Sequence, residues 1–565
     1  MKSRLETYTE VAPSRAQLFS RSETLTKRRV RIVVAIALFA LVFVPRLLDL
    51  DRSINVDGAT HWMVRSATFY SAVSKGDFAG TIMSSHPGVT VMIMSGASIV
   101  VGSIVKFGTP SPWGNFTSLI FCAKLPLALV TGAGILLIGW LIGRRLGYSL
   151  FAALTTFFLA VDPIFLAHSR SLHLDATNTT LTVLSLLTFA VYYCRDSRPH
   201  LFLSAVFFGL ALLTRTTALA MVPFVGVWMM IPVLHRQKPV RKQSIEFAGW
   251  SVIALAVFII VWPAMWVAPV RSVQRLVGSV GSAYNDSPPD TGVGAVEQPA
   301  VEQPAVEQPL DEQPADDAAT DRGIKFRSKL LTDFVTFRFP STLVLGCVGI
   351  SALGYRRWSQ PSNDLETVLT ILFSFAVFLL IGLCFFQKPA TNQTGYRFAL
   401  ISFVIFQIMA AYGSYVCILS TWRANAAYGR SAAIALLALV CLWPAYRTFS
   451  LHPYYQVFHN DFVAAPFVGY GEGLELVANH LNTHQDAEQL VVASDLASSL
   501  SYYFHGQTVW AEHAAKQNVD YVVVYNPSVF PRRAEGYLLQ NYYNDQTCKP
   551  EYVAVLNGVE FAWLY

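Results

Sequence analysis

Charged side chains make up only 14% of the 565 residues, against roughly 25% in an ordinary soluble domain. With 53% of the chain hydrophobic, water is excluded as its main solvent. Cysteine is also scarce. Six of the seven (Cys122, Cys194, Cys347, Cys384, Cys417 and Cys441) lie in or beside apolar runs, and Cys548 stands alone in the polar C-terminal part. That distribution supports neither a disulfide framework nor a CxxC metal site. P-loop, GxSxG, HExxH and Rossmann fingerprints are missing too. The net charge of +6 is not gathered into an extended basic patch with interleaved aromatics, which argues against a nucleic-acid partner.

What the chain has in abundance is long apolar runs, recurring from Val30 to Tyr446. Several approach the roughly 20 residues a helix needs to cross a bilayer core. Basic residues gather at their ends: Lys27 to Arg31, Arg144 and Arg145, Arg195 and Arg198, His235 to Lys242, Arg356 and Arg357, and Arg423 and Arg430. Taking these clusters as cytoplasmic orients the chain. The expected fold is an all-α polytopic membrane bundle of about eleven crossings, at 30–48, 124–142, 148–164, 174–193, 200–214, 217–234, 246–267, 341–355, 365–386, 396–418 and 430–446. Residues 1–29 form a cytoplasmic tail, no cleavable signal is evident, and the protein is placed in the plasma (inner) membrane. Parity makes 89–107, which is equally apolar, a membrane-lying or re-entrant helix.

The bundle, 30–449, leaves four stretches outside the cytoplasm: the first loop from 49 to 123, the turn Ala167 to Asp175, the loop 268–340, and Gln387 to Arg397. Within 268–340, AVEQP repeats at 295, 300 and 305 and is followed by LDEQP. This insert, about 286–322, cannot bury a core and reads as a disordered acidic spacer. Ahead of it, Arg271 to Tyr284 is amphipathic enough to lie on the membrane surface. Residues 450–565 read as a small extracytoplasmic α/β domain. It has strands at Gln489 to Ala493 and Tyr521 to Tyr525, helical patterns at Glu472 to Leu481 and Arg532 to Gln540, and a hairpin turning at Asn557-Gly558.

Ionisable groups held at a membrane edge are functional candidates, because placing one at the centre of the lipid costs about 2.5–3.5 kcal/mol on insertion scales. In the first loop Asp57 stands out, since helical spacing puts His61 and Arg65 on its own face. His86-Pro87-Gly88 opens the apolar helix 89–107. Arg170 and Asp175 flank the second turn, where a plain salt bridge is the competing reading. Lys388, Tyr396 and Arg397 place two cations at an outer helix mouth, against the positive-inside trend unless something anionic binds there. His61 and His86 could join Asp57 around a divalent metal or simply hydrogen-bond. The chain also suits a transporter or flippase of envelope precursors, but its apolar runs are largely free of charge, with Arg215 the main exception.

In combination, the two acidic sites in the first outer loops, HPG at 86–88, SRSLHLDA from Ser169 to Ala176, and the late Lys388…Tyr396-Arg397 resemble the GT-C membrane glycosyltransferases. The protein O-mannosyltransferases and the lipid A aminoarabinose transferase are the nearest members. The stretch SLHPYYQVFHNDF…GYGEGLELVANHLN, from Ser450 to Asn482, is similar to that family's junction into its outer domain. The resemblance implies inverting transfer of a sugar from a polyprenyl-phosphate donor to a hydroxyl of a protein, glycan or lipid acceptor among membrane lipids. It implies Asp57 as general base and Arg397, Lys388 and Arg170 as ligands of the donor phosphate. Asp175 would position Arg170 or an acceptor, and His86, His61 and Tyr396 would line the site. Many relatives carry Asp-Glu where this chain has Asp57-Gly58, which bears on any contact that needs a second carboxylate.

Overall fold

The computed structural model describes residues 15–84, 86–282, 335, 338–359, 363–386, 397, 399–424, 428–458, 460, 470–511, 518–526, 539–545 and 547–565. The acidic insert at 286–322 lies outside them, as do Lys388, Tyr396 and most of the helical pattern expected at Arg532 to Gln540.

Helix α1 (Arg15–Leu47) begins within the stretch read as a tail. A π-helical turn, Gly58–Trp62, leads into α2 (Met63–Ser74). Then come α3 (Val89–Phe107), α4 (Phe116–Leu141), α5 (Ser149–Val161), α6 (Pro163–Arg170), α7 (Asp175–Arg195), α8 (Arg198–Thr214), α9 (Met221–Leu234), α10 (Val240–Val261), the short α11 (Ala264–Val267) and α12 (Pro269–Ser282). The bundle closes with α13 (Pro340–Ser359), α14 (Asp364–Phe386), α15 (Leu400–Ala424) and α16 (Gly429–Phe449). Helices thus cover each expected crossing over most of its described residues, and the protein is an integral membrane protein. Among the described residues, eight helices are long and apolar enough to cross a membrane, or nine if α5 and α6 count as one bent span. Val89–Phe107 is one of the eight.

Even with the bent pair counted, three expected crossings, 174–193, 200–214 and 341–355, fall short of that measure: α8 is apolar but short, and α7 is polar for a crossing. It carries Asp175, Asn178 and a run of threonines, and its residues are buried from Asp175 to Tyr192. A helix wrapped by other helices does not have to be apolar all round. It forms the axis of the main core together with α15, which is buried from Leu400 to Ser414.

The run 148–164 is broken at Asp162-Pro163, where α5 and α6 meet at 62°. Pro163 lacks the N–H that would bond back to the Leu159 carbonyl, so it ends one helix here, and it starts the next well. Asp162 caps α6 by accepting the Phe165 N–H at 2.7 Å and pairs with buried Arg338 at 3.0 Å. Freed carbonyls of Leu159 and Ala160 accept from Arg46, which is fully buried. Ala167 to Arg170, read as a turn, are therefore helical, and the turn shrinks to Ser171–Leu174.

The C-terminal domain is a five-stranded sheet in the order β2-β1-β3-β5-β4. Its strands are β1 (Val491–Ser494), β2 (Gln507–Trp510), β3 (Tyr521–Tyr525), β4 (Tyr552–Leu556) and β5 (Val559–Leu564). β1 pairs in parallel with β2 and β3, and the β4–β5 hairpin adds antiparallel to β3. The hairpin turns at Asn557 and Gly558, both at positive φ, as a two-residue primed turn requires. Helix α17 (Leu474–Leu481) covers the sheet, and α18 (Ala497–Leu500) reaches the first loop, where Ser498 Oγ lies 2.8 Å from Thr60 Oγ1.

Candidate active site

Loops distant in sequence meet where the first loop, the α6–α7 turn, the end of α8 and the C-terminal domain converge. Local ties fix each one. Val56 N–H donates to the Tyr470 carbonyl at 2.8 Å, tying the first loop to the domain. Asn55 Oδ1 accepts the Leu172 N–H at 3.1 Å, tying it to the α6–α7 turn. Gly88 donates to the Thr214 carbonyl at 3.2 Å, bringing the His86-Pro87-Gly88 loop to the end of α8. Gly88 adopts φ +61°, and a Cβ there would overlap the Trp62 ring, so both backbone and packing call for glycine.

At the centre is Asp57. Its Oδ2 accepts from Arg397 Nη1 at 2.9 Å, from the Tyr470 hydroxyl, and lies 2.8 Å from His173 Nε2. Oδ1 takes no hydrogen bond from a described residue, and the side chain is 27% exposed. The site therefore has one anchored carboxylate oxygen and one available oxygen. His173 carries the line inward, with Nδ1 2.9 Å from Asp175 Oδ2, and Asp175 is paired with Arg215 at the end of α8. The His173 ring is held edge-on between Trp62 and Tyr470.

The electrostatics follow from this alternation of charges. Burial disfavours the Asp57 carboxylate, yet contact with His173, and then Arg397 and Tyr470, hold its pKa well below the usual range. Burial likewise opposes charge on His173, but the carboxylates on either side outweigh it and raise its pKa. Burial keeps Tyr470 a neutral donor. His86 is pushed down to about 4 by burial and by Arg215, so it stands neutral, with Nδ1 buried and without a hydrogen-bond partner among the described residues.

The structure thus brings together Asp57, His86, Asp175 and Arg397 from the expected set. His61 sits on the π-helical turn one turn beyond Asp57 and is exposed. Arg170 is elsewhere. Its guanidinium donates to the carbonyls of Pro45, Leu48 and Asp49 at 2.5, 2.7 and 2.9 Å, capping the C-terminal end of α1. It is a structural clasp, and Asp175 pairs with Arg215 in its place. Asp57, His61 and His86 do not form a group at metal-ligand spacing; among the described residues that spacing is found at His480, His484 and Glu551.

His173, Tyr470 and Arg215 were missed as site residues. His173 and Tyr470 lay in plain view within the SRSLHLDA and GYGEG stretches. Arg215 had a usable signal, since an arginine ending an apolar helix needs a counter-ion. Gly58 also finds its reason: a Cβ there would sit 2.7 Å from Asn55 Oδ1 and 3.2 Å from Leu172 Cβ. The second carboxylate of the Asp-Glu pattern has no room while Asn55 ties the loop to the turn.

The class defined by this fold and site is an integral membrane protein with an acidic, cation-held cluster at the seam between its bundle and an α/β domain. A family model described as dolichyl-phosphate-mannose-protein mannosyltransferase matches residues 116–262. That segment carries His173, Asp175 and Arg215, but not Asp57, Arg397 or Tyr470. It accords with the resemblance to GT-C membrane glycosyltransferases drawn from the motifs. Among solved structures, ArnT from Cupriavidus metallidurans bound to undecaprenyl phosphate is similar at 13% identity, with 94% of this chain and 97% of that one covered and a TM-score of 0.49. The apo state of ArnT from Cupriavidus metallidurans is similar at 13% identity over 96% and 98%, with a TM-score of 0.48. No curated protein matches the chain.

Proposed function

We propose that this protein is an inverting glycosyltransferase acting on the outer face of the plasma (inner) membrane, moving a sugar from a polyprenyl-phosphate carrier to an acceptor hydroxyl. The observation that carries the reading is Asp57: an ionised, half-open carboxylate with one oxygen anchored by cations and a phenol and the other available to a substrate. The motif resemblance and the family match over 116–262 support it.

In this reading the acceptor hydroxyl attacks the anomeric carbon on the face opposite the phosphate. The new carbon–oxygen bond forms as the bond to the phosphate oxygen breaks, and Asp57 Oδ1 takes the hydroxyl proton. Arg397 stabilises the charge that develops on the leaving phosphate, with Lys388 as the second candidate cation. One guanidinium serves two anions in turn. As the donor phosphate draws Arg397 away from Asp57, the carboxylate loses a cation and becomes a stronger base when the substrate is in place. Tyr470 and His173 keep the carboxylate aimed, Asp175 and Arg215 hold His173, and the unpartnered Nδ1 of His86 offers an acceptor for a sugar or acceptor hydroxyl. Tyr396 and His61 are proposed to line the entrance.

Reconstituted protein supplied with a panel of polyprenyl-phosphate sugars tests the assignment, with release of free polyprenyl phosphate and mass gain on envelope acceptors as readouts. Turnover of at least one donor is the expected result. Vesicle uptake of lipid-linked substrate without any glycosylated product would replace this reading with transport.

A further inference from the structure

Away from the Asp57 cluster, the C-terminal domain gathers His480, His484 and Glu551 on its surface. His480 occupies the last turn of α17. The turn after it is fixed by the Thr483 N–H donating to the His480 carbonyl at 3.0 Å and the His484 N–H to the Leu481 carbonyl at 3.1 Å. Glu551 precedes the edge strand β4, with its N–H bonded to the Leu564 carbonyl at 2.7 Å. The three side chains thus hang from backbone that is already ordered.

Their ligand atoms converge. His480 Nε2 lies 3.1 Å and His484 Nε2 3.6 Å from Glu551 Oε1, and the three atoms all lie within 4.8 Å of one another. Zinc arms of about 2.0–2.1 Å in a tetrahedron give ligand–ligand edges of about 3.3–3.4 Å, which the two observed separations bracket. The outer contacts suit the same purpose. His484 Nδ1 faces the Tyr521 hydroxyl at 3.4 Å, a partner that fixes the ring with Nε2 turned to the ligand point. His480 stacks on Tyr552 at 4.5 Å and 12°. Side-chain exposures of 31%, 26% and 45% leave a route for an ion to enter.

We propose that His480, His484 and Glu551 form a Zn²⁺ site that clamps the end of α17 to the edge strand β4, with the fourth position filled by water. Imidazole and carboxylate donors in a four-coordinate arrangement favour Zn²⁺ over the oxygen-seeking Ca²⁺ and Mg²⁺. A clamp there also covers an exposed sheet edge, which a small sheet docked on a bundle has reason to protect. The competing arrangement is a metal-free one, with both imidazoles donating to the same carboxylate oxygen.

The whole 565-residue chain in detergent, stripped with chelator and titrated with Zn²⁺, decides between them. The site predicts one Zn²⁺ per chain and a melting temperature that rises with Zn²⁺. In His484→Gln and Glu551→Gln, affinity falls by at least about tenfold. Mapping of histidine carbethoxylation by mass spectrometry gives a readout that needs no variant: bound Zn²⁺ protects His480 and His484 of the wild-type protein. Absence of stoichiometric binding by the wild type, unprotected His480 and His484, or unchanged affinity in folded variants would each overturn the proposal.

Discussion

Replacing His173 by phenylalanine isolates the link between the two acidic sites. The ring shape that packs against Trp62 and Tyr470 is kept, while both nitrogen contacts, 2.8 Å to Asp57 and 2.9 Å to Asp175, are lost. The 2.8 Å ion pair between the His173 imidazolium and the Asp57 carboxylate is worth as much as a charge-assisted contact, about 1.5–3 kcal/mol, so losing the one that aims Asp57 lowers kcat by about 10- to 100-fold. KM for the donor changes little, because Arg397 is untouched. Asp175 keeps Arg215, so the protein still inserts and folds at reduced stability. The pH dependence gives a sharper signature. Because the folded pKa of His173 is raised above 6.5, the stabilisation from its imidazolium is complete below 6.5 and is lost as pH rises through the raised value. Phenylalanine removes that alkaline loss, whereas glutamine, which retains a donor, restores part of kcat. Steady-state transfer assays and melting curves from pH 6 to 9 measure both effects. A Phe variant with wild-type kcat and an unchanged alkaline slope in melting temperature would refute the positioning role.

Two further substitutions probe the surroundings. Gly58→Glu displaces Asn55 from Leu172, leaving a buried N–H unpaired at a cost of about 1–3 kcal/mol, so melting temperature and transfer both fall; an unaffected variant would show that the loop has room. Glu472, buried beside Tyr470, has its carboxyl pushed up to about 7 by burial. Below pH 4.5 it is neutral in both folded and unfolded chains. Between 4.5 and 7 only the unfolded chain ionises, so folding stability falls, by about 3 kcal/mol in all, and then levels off. Glu472→Gln removes that decline and raises the melting temperature at pH 8, while Glu475, raised by the same burial, leaves a residual slope.

The helical bundle, the broken order of its outer loops and the C-terminal hairpin were legible because each depends on local pattern: apolar run length, basic ends, an Asn-Gly turn. Asp57, Asp175, His86 and Arg397 were legible as ionisable groups where lipid disfavours them. The pairings were not. Arg170 and Asp175 are close in sequence, but the bend at Pro163 turns Arg170 toward the carbonyls ending α1 while Asp175 faces Arg215. Tyr470 reaches Asp57 only because the domain docks on the first loop, and β2 was missed because Gln507–Trp510 has Val509 as its one buried residue, whereas the equally short β1 is an apolar run through Ala493. Such contacts depend on how far-separated segments pack, which periodicity does not encode.

The central claim is that Asp57 performs the chemistry, and Asp57→Asn tests it most directly, being nearly isosteric and able to keep the loop in place. In membranes supplied with an active polyprenyl-phosphate sugar, the variant is expected to insert and fold with a lowered melting temperature, because Arg397 and His173 lose their shared anion, and to lose at least about 100-fold in transfer, measured as polyprenyl phosphate released and product mass gained. Transfer at the wild-type rate by a properly inserted Asp57→Asn protein would contradict the account.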